Sequence, residues 1–283
     1  MSEFSFYQVD VFTRLATTGN PLAVVLGADA LSDQQMAAFA NWTNLSETAF
    51  LLKPEDDRAD YRVRIFTPFE ELPFAGHPTL GSAHVWLAAG GAAKGEELVQ
   101  ECAVGLVRVR RDGGRLSFAA PPLRRAGEVD PDVLAHIARG LRLPPEAIVA
   151  ANWIDNGPGW LGILLRSRAE VLAVDSDHAI LEELAQKGIK IGIAGPWNPA
   201  TDGGEAHYEV RAFLAGGRED PVTGSLNAGL AQWLIGAGIA PASYIAAQGT
   251  AIGRHGRVHV VKDGADIWIG GDVAPCIKGT VTF

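Results

Sequence analysis

Cysteine is scarce in this chain: Cys102 and Cys276 are the only two in 283 residues, far apart and outside any CxxC spacing. That excludes a disulfide framework and a cysteine-based zinc site, and both are expected as buried thiols. Basic charge is scarce as well. Lys and Arg number 24 against 33 Asp and Glu, a formal net charge of −9, with no basic stripe. Neither nucleic acid nor an anionic membrane surface is therefore an expected partner. An anionic substrate would have to be held by local dipoles and a few Arg or His groups. Long hydrophobic runs are missing too. The least polar stretch, around "LAQWLIGAGIAPASYIAA", is broken by Gln232, several glycines and Pro241, and reads as a buried helix and a loop rather than a membrane span. The opening "MSEFSFYQVDVF" carries an early acid and alternates like a strand, unlike a signal peptide, so the expected location is cytoplasmic.

What the chain does have is apolar residues, 47% of the total, enough to bury a core in each of two medium domains. Strand-like runs such as "FSFYQVDVF", "TAFLL" and "YRVRIF" fill the first half; "WLGILL", "IKIGIA", "HYEVRAFL" and "RVHVVK" fill the second. Four segments read as amphipathic helices: "SDQQMAAFANWTN", "PTLGSAHVWLAAG", "DSDHAILEELAQKG" and "PVTGSLNAGLAQWLIGAG". The class is α+β. The Pro-rich residues 119 to 131 are the expected linker, which gives domains of 1–120 and 121–283, with the C-terminal strand near 276–283 free to join the first. In "DSDH" the Ser and Asp before "AILEEL" are read as helix caps rather than metal ligands, and no metal is expected at His255 or His259.

One stretch asks for chemistry. In "ELPFAGHPTLGSA" His77 stands between Gly76 and Pro78, where a helix opened by Pro78 would gather unpaired N–H groups and the positive end of its dipole. Laying His77 to Ser82 on Asp220 to Ser225 of "EDPVTGS" matches Pro, Gly and Ser without a gap, and Trp86-Leu87 and Trp233-Leu234 follow, the second helix being about one turn longer. Upstream, Arg64 and Phe66 answer Arg211 and Phe213. Such a repeat predicts a duplicated unit. Duplication in this frame would put His77 and Asp220 at matching helix heads, face to face across a cleft.

Taken together, "GNPLAVV", "NLSETAF", "RIFTPFEELPFAGHPTLGSAH" and "EDPVTGSLNAGLAQWL", with the late Gln248-Gly249, Arg254 and Gly270-Gly271, resemble the phenazine-biosynthesis PhzF-like family of isomerases. The resemblance implies the diaminopimelate-epimerase-like fold, two pseudo-symmetric domains, each a curled, mostly antiparallel sheet around a central helix, and it implies a homodimer. It places the family's catalytic residues on Glu47, His77 and Asp220. Ser225 falls on its serine, Gly76 and Gly224 on the amides that hold a substrate carboxylate, and Ser46 beside Glu47 joins the substrate-binding set. The implied activity is that of an isomerase that needs no cofactor and no metal. It moves a proton between carbons of a small cyclic or amino carboxylate, with Glu47 as the acid/base. A phenazine pathway is not implied by these residues.

Three other readings stay open at this point. Thiol-based epimerisation or racemisation would need a cysteine at each helix head, and "AGHP" and "EDPVTGS" have none. A serine hydrolase could use His77, Asp220 and Ser225, but no G-x-S-x-G elbow surrounds Ser225. A non-catalytic binding protein would have no need of Glu47, His77 and Asp220 together. Ser225 could equally serve as a helix cap.

Overall fold

Alternating and fully apolar segments become strands, and the two most apolar helical segments become the centres around which those strands wrap. The computed structural model describes residues 2–283. In chain order the elements are β1 (Glu3–Val11), β2 (Asn20–Leu26), α1 (Asp33–Thr43), β3 (Glu47–Leu52), β4 (Tyr61–Phe66), β5 (Glu71–Leu72), α2 (Gly76–Ala88), β6 (Leu98–Cys102), β7 (Gly105–Asp112) and β8 (Arg115–Ala119). Then come β9 (Arg125–Gly127), α3 (Pro131–Gly140), β10 (Ala150–Asp155), β11 (Trp160–Leu164), α4 (Arg168–Ala173), α5 (His178–Gln186), β12 (Lys190–Pro196), α6 (Pro199–Asp202) and β13 (Tyr208–Phe213). The chain closes with α7 (Gly224–Gly236), β14 (Ser243–Gln248), β15 (Gly256–Asp263), β16 (Asp266–Gly271) and β17 (Val273–Thr282). Two compact units result, one running up to Ala119 and including Gly270–Phe283, the other Ala120–Ile269.

Each unit repeats one pairing scheme. In the first, β1–β2 is antiparallel, β2–β3 parallel, β3–β4 antiparallel, β4–β6 parallel and β6–β7 antiparallel. In the second, β10–β11, β11–β12, β12–β13, β13–β14 and β14–β15 follow the same alternation. The outer neighbours agree as well: β17 lies antiparallel on β1, and β9 antiparallel on β10. The central helices are equivalent, since α2 follows β4 and precedes β6 while α7 follows β13 and precedes β14. Helix α2 touches β1, β2, β3, β4, β6 and β8, and α7 touches β10, β11 and β15. A helix covered on several sides is apolar around its whole circumference. Neither central helix is amphipathic, contrary to the sequence expectation, and both are 13 residues long, so the second is not the longer. The remaining helices pack outside. Helix α1 carries Met36, Phe39 and Ala40 into a core with Val25, Phe50 and Phe66, while Ile137 of α3 and Leu181 of α5 join Leu161, Ile163, Ile191 and Ile193.

Several expectations need correcting. Residues 119–131 are not a bare linker, because Arg125–Gly127 pairs with β10 and Asp130 caps α3, a helix the sequence reading passed over. Cys102 is buried, but Cys276 is exposed on β17. Among the described residues no helix is long and apolar enough to cross a membrane. In "DSDH" Asp177 does cap, accepting from Ala179 and Ile180 N–H at the head of α5, while Asp175 pairs with Arg142 instead.

The frame of the repeat also shifts. Helix α2 starts at Gly76, two residues before Pro78, and α7 at Gly224, three after Pro221. Aligned on these starts, "ELPFAGHPTLG" lies on "EDPVTGSLNAG" and pairs Glu71 with Glu219, Pro73 with Pro221, Gly76 with Gly224 and Gly81 with Gly229. Both glutamates clamp the arginine of the preceding strand: Arg64 reaches Glu71 through two bonds of 2.7 Å, and Arg211 reaches Glu219 at 2.9 to 3.2 Å. Glu71 thus holds the segment leading to His77. The counterpart of His77 is Ser225. The counterpart of Asp220 is Leu72.

Candidate active site

Glu47 opens β3 and pairs in register with Leu22 of the parallel strand β2. His77 is the second residue of α2, which packs on the same strands, and the two side chains meet with Nε2 3.5 Å from Oε2. Both are shielded, with side-chain exposures of 6% for His77 and 17% for Glu47. The ring of His77 also hydrogen-bonds the main chain of Pro21. Proline has no N–H, so its carbonyl accepts and the ring donates. Because Nε2 makes no hydrogen bond, the donor is Nδ1, and Nε2 presents a lone pair toward Glu47. Burial pushes the ring down to about 3, against the opposing pull of the Pro21 carbonyl, so His77 is neutral at pH 7. His77 is therefore neither a cap nor a cation here. Ser46, next to Glu47, lies exposed in the bend between α1 and β3.

The head of α2 starts from Ala75, which has no side chain to cap it. Its order comes from behind: Thr79 Oγ1 donates to the Ala75 carbonyl at 2.9 Å and accepts from Gln100 Nε2 at 3.0 Å, and Tyr61 donates to Gln100 Oε1 at 3.2 Å. All of these side chains are buried. The first-turn amides near Gly76 are thus not consumed by a side-chain cap.

In the second unit Thr223 occupies the N-cap of α7 and makes no cap bond. Its hydroxyl turns to Asp220 Oδ2 at 2.5 Å. Ser225, the second helical residue, is not the cap either. It accepts from the Trp160 indole N–H at 2.9 Å, and its carbonyl accepts from Asn156 Nδ2 at 2.8 Å. An indole nitrogen can only donate, so the hydroxyl proton of Ser225 is left to donate elsewhere. Asn227, counterpart of Thr79, donates to the Thr223 carbonyl and to Gln248 Oε1. A buried glutamine from the strand after the helix supports each head: Gln100 in one unit, Gln248 in the other.

Sequence reasoning picked out Glu47, His77, Gly76, Asp220, Gly224 and Ser225 but missed the residues that hold them, namely Pro21, Gln100, Trp160 and Asn227. Gln248 was seen only as a fragment of a late pattern. Among the described residues no group of three or more His, Cys, Asp or Glu is placed to hold a metal.

A model of phenazine biosynthesis-like proteins matches residues 9–279. Antisense-enhancing sequence 1 of Schizosaccharomyces pombe is 34% identical across 99% of both chains. Trans-2,3-dihydro-3-hydroxyanthranilate isomerase of Pseudomonas aeruginosa is 32% identical, covering 91% of this chain and 90% of its own. A solved PhzF-family phenazine biosynthesis protein from Enterococcus faecalis shares the fold, with a TM-score of 0.82 and full coverage of both chains at 24% identity. The chain belongs to the phenazine biosynthesis-like protein family and is an isomerase.

Proposed function

We propose that this isomerase works without a cofactor, moving a proton between carbons of a small cyclic or amino carboxylate, with Glu47 taking the proton and returning it. The observation that carries this reading is the shielded Glu47–His77 pair, Oε2 to Nε2 at 3.5 Å, on a neutral ring whose tautomer is fixed by Pro21. A carboxylate shielded from water is suited to proton transfer at carbon, and the neutral ring beside it does not neutralise it as a cation would. His77 and Asp220 are assigned to protons at substrate heteroatoms. The carboxylate is assigned to the amides near Gly76 and Gly224, to the Ser225 hydroxyl, and to Ser46. Each uncapped helix start contributes roughly 0.3 to 1 kcal/mol to a bound anion, which a chain of net charge −9 needs. The Pseudomonas relative's substrate is, by its name, a cyclic amino carboxylate, and that class is proposed here.

The rival readings lose support. A serine nucleophile needs a base to accept its proton, whereas His77, the base of such a triad, turns its Nε2 to Glu47 at 3.5 Å. Two-thiol epimerisation finds His77 and Ser225, not cysteines, in the first turns of the central helices. The test is Glu47→Gln, which keeps the shape and a hydrogen-bonding amide but cannot take up a proton. Turnover of trans-2,3-dihydro-3-hydroxyanthranilate or a related cyclic amino carboxylate should fall by about three orders of magnitude or more while the protein stays folded. Retention of more than about a tenth of the rate would remove Glu47 from the mechanism.

A further inference from the structure

Gln248 ends β14 with no exposed surface, and every polar atom of its amide is used. Its Oε1 meets the Thr223 N–H at 3.1 Å and Asn227 Nδ2 at 2.8 Å. Its Nε2 meets the Asp220 carbonyl at 3.1 Å and Thr223 Oγ1 at 3.0 Å. A main-chain N–H can only donate, so the Gln248 atom it faces is the oxygen and the other is the NH₂ group. Thr223 Oγ1 then accepts from that NH₂. A hydroxyl has one proton, and the remaining partner is Asp220 Oδ2, so the proton of Thr223 is directed there. One backbone amide thus sets the direction of every bond up to the carboxylate.

We infer that Gln248 is a positioning residue which, acting through Thr223, holds Asp220 at the head of α7 with Oδ2 as a hydrogen-bond acceptor. The inference rests on the reading of Asp220 as a proton carrier for its meaning in the reaction, but the hydrogen-bond chain stands apart from it. The first unit supplies a contrast. There Gln100 donates to Thr79, which donates on to the Ala75 carbonyl, and Leu72 stands where Asp220 stands. The same buried glutamine supports a helix head in both units. Only in the second does the chain through the helix-head threonine end on a carboxylate.

The test reads Asp220 directly and needs no substrate. The side-chain carbon signal of Asp220, assigned by its loss in Asp220→Asn, is followed by NMR against pH in the full chain. Thr223→Val keeps the shape of the side chain and removes the hydroxyl. It should move the Asp220 titration midpoint upward by about one pH unit, because a hydrogen bond to the charged form is lost. Thr223→Ser should restore it. Gln248→Met should move the midpoint the same way and add nothing in the Thr223→Val background, as expected of two residues acting in one chain. An unmoved midpoint in folded Thr223→Val overturns the inference, as does a Gln248→Met shift that adds in full to that of Thr223→Val. If Gln248→Met does not fold, the Thr223 pair decides alone. A full catalytic rate in Asp220→Asn, with the predicted titration shifts intact, would instead remove Asp220 from the proposed reaction and leave the positioning chain standing.

Discussion

Trp160 Nε1 and Ser225 Oγ lie 2.9 Å apart, a donor that can only donate against a hydroxyl that must then accept. Trp160 is almost fully buried, so its N–H would lose its partner in Ser225→Ala. A buried donor left unmade costs about 1 to 3 kcal/mol. Trp160→Phe removes the N–H together with part of the ring and should cost more through the space it leaves. The double variant should cost less than the two single changes added together, by roughly 0.5 kcal/mol or more, since each removes the same bond. Denaturant unfolding of the four proteins measures this, and full additivity would mean the bond contributes nothing.

The repeat was legible in the sequence, but in the wrong frame, and the reason is physical. Proline looks like punctuation, yet Pro78 sits inside the first turn of α2, where its missing N–H is no loss, while Pro221 lies in the bend ahead of α7. Glycine and glutamate were the better markers. Glu71 and Glu219 must meet an arginine on the preceding strand, and Gly81 and Gly229 must let a strand come close, so their spacing to the helix start is held by contacts. The residues that orient the site were not legible because they arrive from far along the chain. Pro21 offers only a carbonyl, Trp160 looks like any apolar strand residue, and Gln100 and Gln248 look like the polar members of alternating strands. Nothing local marks them as buried. Glu47 was reached through the family resemblance, because an acid opening an apolar strand is otherwise as well explained by a turn.

Gly81 and Gly229 occupy the same position in α2 and α7, but they differ in what a methyl group would meet. At Gly229 a Cβ would lie 2.4 Å from the main-chain oxygen of Ile154; at Gly81 it would lie 2.5 Å from a terminal methyl carbon of Leu22. A leucine end can rotate, whereas a strand carbonyl cannot move without its ladder. Gly229→Ala should therefore lose about 1 to 3 kcal/mol, even after a helix-propensity gain of up to about 1 kcal/mol. Gly81→Ala should cost clearly less. Thermal melts of both variants check the order, and a Gly81→Ala protein less stable than Gly229→Ala would contradict it.

Acid should act on the fold through His77. His77 is held down to about 3 in the folded protein by burial, against an ordinary value near 6.5. Between those two values the unfolded chain binds a proton at this residue that the folded chain does not, so acidification favours unfolding there. The stability that His77 contributes as a neutral ring is complete above about pH 6.5 and is lost as the pH falls toward 3. A shift of this size corresponds to at most roughly 5 kcal/mol across that window. His77→Asn isolates the effect. Its amide nitrogen can take the place of Nδ1 and donate to the Pro21 carbonyl, but it does not titrate. The variant should be less stable than the wild-type protein at pH 7, through lost packing, and should lose less stability than the wild type on going from pH 6.5 to 4. Urea midpoints at several pH values give both curves. Parallel curves across that range would show that His77 takes up its proton as readily in the folded protein as in the unfolded chain, and the neutral-ring account of the Glu47–His77 pair would fail with it.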